Sequence, residues 1–75
     1  AEVRQGIVAA VGEWGGSAAS PWLRERLAED PVPGVRAEAA YRLGLLSDSD
    51  SRTALESTIV KDQDSGVRRW AKRGF

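Results

Sequence analysis

The side chains of this chain that could do chemistry are guanidiniums, carboxylates and hydroxyls. Eleven Lys and Arg balance eleven Asp and Glu, and there is no histidine and no cysteine. The commonest general base and metal ligand is therefore missing, and so are thiolate nucleophiles and disulfides. Serines have no histidine to activate them. Asp48 and Asp50 share the spacing that opens a calcium loop, but the later ligands and the bidentate Glu do not follow. No glycine-rich loop precedes a lysine, so there is no P-loop. No catalytic, cofactor-binding or metal-binding residue is assigned. The chemistry that remains is recognition: arginine forks meeting carboxylates, and cations beside aromatic rings.

Three of the arginines are regularly placed. Val3-Arg4, Val35-Arg36 and Val67-Arg68 lie at equal intervals, 35 − 3 = 32 and 67 − 35 = 32. A fixed period of this size marks a stack of identical supersecondary units. Other positions keep the same register: Gly12 with Gly44, Leu23 with Leu55, Leu27 with Ile59, Asp30 with Asp62 and Gly34 with Gly66.

Two kinds of helix must carry these residues. The first opens at Val-Arg and has apolar positions at helical spacing: Val3, Ile7, Val11 and Trp14, then Val35, Ala39, Leu43 and Leu46, then Val67, Ala71 and Phe75. The second carries Ala19, Leu23 and Leu27, then Ala54, Leu55 and Ile59. Gly15-Gly16 ends one helix and Ser20-Pro21 starts the next. Pro31-Val32-Pro33 separates the following pair. The run from Ser47 to Ser51 offers N-caps, and Asp64 is the expected cap of the last helix. The pattern predicts helices near 2–14, 18–29, 33–46, 51–61 and 65–74, with no strand. The fold class is all-α, an α-solenoid fragment of about two and a half hairpins in one domain spanning 1–75. With no initiating Met and a start inside the repeat, the chain reads as a piece of a longer protein. No apolar run approaches the roughly 20 residues of a membrane span, and the expected location is cytoplasmic.

The run Val35-Arg36-Ala37-Glu38-Ala39-Ala40-Tyr41-Arg42-Leu43-Gly44 resembles the second helix of the HEAT repeat, in particular the short bacterial, phycobilisome-lyase-like type. The resemblance implies stacked helical hairpins. It also implies a hydrogen-bonded ladder of turn Asp residues with Arg residues six positions later, here Asp30 with Arg36 and Asp62 with Arg68. Departures from the pattern are Arg42 in place of a small residue, Gly6 inside a helix, and Gly74-Phe75, where the last helix is expected to fray or be cut short.

Each remaining candidate has a plain alternative. Arg4, Arg36 and Arg68 read as ladder residues rather than a phosphate-binding row. Trp14 reads as core rather than as a binding aromatic, and Trp22 as a core-edge ring or a partner of Arg26. Trp70 stands off the apolar stripe among Arg68, Arg69, Lys72 and Arg73, which suits contact with an anion or an acidic peptide, or simply a solvated helix end. In the resembling family the second helices line the concave surface. Glu38, Tyr41, Arg69, Trp70 and Arg73 would then share one face and form the candidate partner-binding set. Mixed charge with two aromatics fits a protein groove better than a nucleic-acid groove.

The expected function is therefore a non-enzymatic interaction or scaffold module, without cofactors, whose partner is a protein, a peptide or another domain of its own chain. The alternatives are a bilin-lyase-like enzyme of the same repeat class and nucleic-acid binding through the 68–73 basic cluster.

Overall fold

The computed structural model describes residues 2–75. Five α-helices occupy α1 Glu2–Gly15, α2 Ser20–Glu29, α3 Pro33–Leu46, α4 Ser49–Lys61 and α5 Ser65–Gly74. No strand occurs among the described residues. Residues Gly16–Ala19 form a 3-10 turn, so helical backbone runs unbroken from Glu2 to Glu29 and the five helices form four continuous runs. The corner between α1 and α2 is made at Gly16, whose φ of +55 lies in the left-handed region that glycine enters without steric penalty. The next corner uses Ser47, φ 59, as the left-handed cap of α3.

The starts of α3 and α5 use different chemistry at adjacent positions of the period, the first helical residue in one and the N-cap in the other. Pro33 begins α3, where its missing N–H is harmless and its φ is already helical. Asp64 begins α5 by accepting a hydrogen bond from the Val67 N–H at 3.0 Å. Asp48 stands at the N-cap of α4, where its carboxylate accepts from the Ser51 hydroxyl and no backbone N–H.

The Val-Arg helices α1, α3 and α5 lie side by side in one layer, and α2 and α4 form the other. The core between them is Leu23 and Leu27 from α2, Val35, Ala39, Ala40 and Leu43 from α3, Leu55 from α4, and Val67 and Ala71 from α5. Within the second layer, Ser20 and Ser51 share a buried hydroxyl–hydroxyl hydrogen bond at 3.3 Å.

Of the stripe expected on α1 only Val11 packs against the core, and it is half-buried. Val3 is 77% exposed, Ile7 48% and Trp14 86%, whereas Val8 is the buried residue of this helix. The reason lies in the stacking. In the later repeats the stripe is covered by the helix that precedes it, α2 for α3 and α4 for α5. Helix α1 is packed from its other side, against α3, and turns Val8 into that contact. Phe75 also departs from the expected stripe: it is 44% exposed, and its ring and carbonyl are held by Arg52 of α4.

Adjacent helices of the first layer cross at glycine. A Cβ on Gly12 would stand 2.7 Å from Arg42 Cγ, and one on Gly44 would stand 2.5 Å from Gly74 Cα. These are the same crossing one repeat apart, since 44 − 12 = 32 and 74 − 42 = 32. The aliphatic stem of Arg42 thus rests on Gly12. Gly74 keeps the small residue that Arg42 replaces, and α5 ends at it with 10 residues against the 14 of α3, shorter as expected.

Gly44→Ala should destabilise the chain in thermal melts, because backbone rather than a flexible side-chain end blocks the new methyl. Gly6→Ala, with nothing within 4 Å of its Cβ position, should stabilise it by about 0.5–1 kcal/mol. Leu43→Ala should cost about 2–5 kcal/mol, and Trp14→Ala less than about 0.5 kcal/mol, measured by denaturant titration.

Candidate functional site

Two constellations stand out, and they do different work. The first is the row of arginines and turn aspartates. Asp30 ends α2 with extended backbone, and its Oδ1 accepts from the Val32 N–H at 2.9 Å. Asp62 ends α4 in the same way and accepts from the Asp64 N–H at 2.9 Å. Each is an Asx turn that leaves the second carboxylate oxygen for another partner.

That partner is an arginine from the preceding repeat. Arg36 donates from Nε to Asp62 Oδ2 at 2.9 Å and from a terminal nitrogen to Oδ1 at 3.1 Å. Its other terminal nitrogen donates to the Asp30 backbone carbonyl at 2.9 Å. Arg4 reaches Asp30 Oδ2 at 3.2 Å, and Arg68 reaches the Asp62 carbonyl. The expected pairing is thus corrected in detail. The Arg six positions after each Asp takes its backbone oxygen, while the carboxylate goes to the Arg 26 positions earlier, 62 − 36 = 30 − 4 = 26. A side chain long enough to hold two consecutive turns bridges them instead of closing one.

Burial alone would raise the Asp62 carboxyl. The Arg36 hydrogen bond, the Asp64 N–H and the nearby guanidinium charges outweigh it and hold it below the usual carboxylate range. Asp30 is lowered likewise, against its burial, by the Val32 N–H and by Arg4. Arg36 is raised, chiefly by its hydrogen bond to Asp62.

The second constellation lies on the opposite, exposed side of α3 and α5. Tyr41 and Trp70 meet edge to face, with ring centroids 5.6 Å apart and planes at 76°. Each ring carries an arginine: Arg42 lies 5.0 Å from the Tyr41 centroid and Arg73 lies 5.0 Å from that of Trp70. The pair forms a ridge between two hollows. One, of about 260 Å³, is lined by Tyr41, Gly44, Leu45, Trp70, Arg73 and Gly74. The other, of about 290 Å³, is bounded by Gln5, Ala37, Glu38, Arg42 and the same two rings. Glu38 is engaged by Arg42 at 3.0 Å, one helical turn away.

Of the five residues expected on this face, Glu38, Tyr41, Trp70 and Arg73 line the hollows. Arg69 is exposed one turn from Arg73 and borders neither. The expected set left out Leu45, which lies one turn from Tyr41 on the outer part of the helix, and Gln5. Leu45 is 62% exposed, and its place between stripe residues Leu43 and Leu46 disguises it. Gln5 belongs to another repeat, and its approach depends on how α1 crosses α3. The expected 68–73 cluster is divided, since Arg68 is half-buried and turned to the Asp62 carbonyl while Arg69, Lys72 and Arg73 are exposed. Trp22 is exposed and not packed on the core, with Arg26 5.9 Å from its ring centroid, so of the two expected readings the Arg26 partner holds and the core-edge one does not. Among the described residues no three His, Cys, Asp or Glu side chains stand close enough to hold a metal ion. None of the described helices is long and apolar enough to cross a membrane.

The family model for HEAT repeats matches residues 1–74. No curated protein and no solved structure matches the chain.

Asp62→Ala should cost about 2–3 kcal/mol by stranding the Arg36 guanidinium, whereas Asp50→Ala should shift the melt little. Both carboxyls are lowered on folding, so the unfolded chain binds more protons in acid. Their contribution is complete above the unfolded value of about 3.9 and is lost as pH falls through the lower folded values. Asp62→Asn should flatten that acid limb of the melting temperature against pH.

Proposed function

The chain belongs to the HEAT-repeat family, and on that premise we propose that it is a non-enzymatic protein-interaction module whose binding face is the Tyr41–Trp70 ridge with its two hollows. The observation that carries this reading is the ridge itself. Trp70 is 37% exposed and Tyr41 40%. Neither ring enters the core, yet each is held in a defined pose by its neighbour and by a stacked arginine. Rigid, half-exposed aromatics flanked by Arg are what protein interfaces use as anchors, because their ordering entropy is already lost before binding.

Helix stacking supports the same reading. The ladder and the glycine crossings hold α3 and α5 at a fixed separation, so the rings on the two helices form one surface. The proposed partner-binding residues are Glu38, Tyr41, Arg69, Trp70 and Arg73, with Leu45 added. The family's common use as a scaffold agrees with this assignment.

The alternatives draw on less. A bilin-lyase-like activity rests on resemblance alone, as does assignment to the short bacterial, phycobilisome-lyase-like subtype. Nucleic-acid binding through residues 68–73 loses Arg68 to the ladder.

Peptides selected from a displayed random library should compete with one another for this face. In a Trp14→Phe, Trp22→Phe background, Trp70 is the remaining tryptophan, and selected peptides should shift its emission. Tyr41→Ala should weaken them by at least about tenfold. Selected peptides that bind without moving Trp70 emission would place the interface elsewhere and overturn the assignment.

A further inference from the structure

We infer that the occupant of the α3–α5 face is an acidic peptide segment carrying one bulky apolar side chain. This rests on the interaction-module reading and narrows it to a partner chemistry.

Charge separation comes first. From Ser65 to Phe75 the chain has Arg68, Arg69, Lys72 and Arg73 and not one acid, although the whole chain is neutral. Arg68 serves the ladder. The other three are exposed, and the salt bridges among the described residues leave them out, being formed by Arg4, Arg26, Arg36 and Arg42. Glu38 is the one acid of α3, and Arg42 already neutralises it. The face therefore has an uncompensated positive edge at α5.

Arginine geometry says what that edge can hold. Arg73 lies over the Trp70 ring, 5.0 Å from its centroid, and makes no salt bridge among the described residues. A guanidinium carries its N–H donors in one plane, as a fork that a carboxylate meets with two parallel hydrogen bonds. Arg69 stands one turn away along α5 and offers a second site for an acid.

The hollow beside this fork accepts the apolar group. Tyr41, Leu45 and Trp70 line it together with Gly44 and Gly74, the two glycines at which α3 and α5 approach most closely. Leu45 is the large aliphatic side chain there that no neighbour covers. A leucine or phenylalanine from a partner would bury it together with the edge of Trp70.

The geometry favours a peptide over nucleic acid. Single strands are bound on open ring faces along a continuous cationic track. Here the ring planes meet at 76°, each ring carries an arginine, and the free cations come from one helix.

The test uses fluorescent peptides in which one leucine is flanked by glutamates, with glutamine-for-glutamate and serine-for-leucine versions, and labelled oligodeoxythymidine. Fluorescence anisotropy should show the parent peptide binding about tenfold more tightly than either altered version. Arg73→Gln and Arg69→Gln, both at exposed positions, should remove the preference for glutamate with unchanged melting temperature. Leu45→Ser should remove the preference for leucine. Equal binding of the glutamine version would overturn the acidic-partner inference and leave the interaction face standing, provided Trp70 emission still responds. Oligodeoxythymidine that displaces the peptide and loses affinity steeply with salt would overturn it in favour of nucleic acid. No binding by any of these peptides would also overturn it, and the library selection would then judge the face independently.

Discussion

The structure depends on one guanidinium. Arg36 touches the carbonyl that ends α2 and the carboxylate that ends α4, so a single planar group fixes the distance and rotation between consecutive turns. A chain of 75 residues buries a smaller share of its surface than a larger domain does, so directional contacts carry more weight in it. The apolar seams are chemically alike and would tolerate sliding. A fork that must satisfy a carbonyl on one side and a carboxylate on the other does not. The Asx turns of Asp30 and Asp62 matter for the same reason, since they aim the carboxylate before the arginine arrives.

Glycine completes this constraint at the other end of the helices. The ladder sets the spacing near the N-termini of α3 and α5, and the Gly44–Gly74 crossing sets it near their C-termini. Two fixed points on each helix define a plane, and the Tyr41–Trp70 ridge lies between them. The ridge is therefore a product of stacking: Tyr41 comes from α3 and Trp70 from α5, and neither helix alone presents it. Regular packing on one side of the layer yields a defined surface on the other.

The repeats are alike in backbone and unlike in surface. Position 42 and its equivalent 74 are Arg and Gly, and position 38 and its equivalent 70 are Glu and Trp. The ladder and core positions recur while the face varies. Arg42 shows how far a variation can go without disturbing the stack, because its stem lies where a small residue would and its charge serves Glu38 and Tyr41.

The sequence by itself determined the helices, the period and the identity of the residues at the turns. These are local matters: 3.6-residue spacing, proline and glycine stops, and aspartate at the ends of α2 and α4 are readable without knowing what lies across the layer. Tyr41 and Trp70 could also be placed on one side by counting from the stripe. Only the tertiary structure decided which arginine meets which carboxylate, because that depends on the offset between stacked hairpins, and the near choice at six residues was set aside for the far one at 26. It alone showed that Val3, Ile7 and Trp14 are exposed on α1, although Val35 and Ala39, the equivalents of Val3 and Ile7, are buried on α3. Periodicity specifies which side of a helix is apolar, and packing decides whether anything is there to meet it.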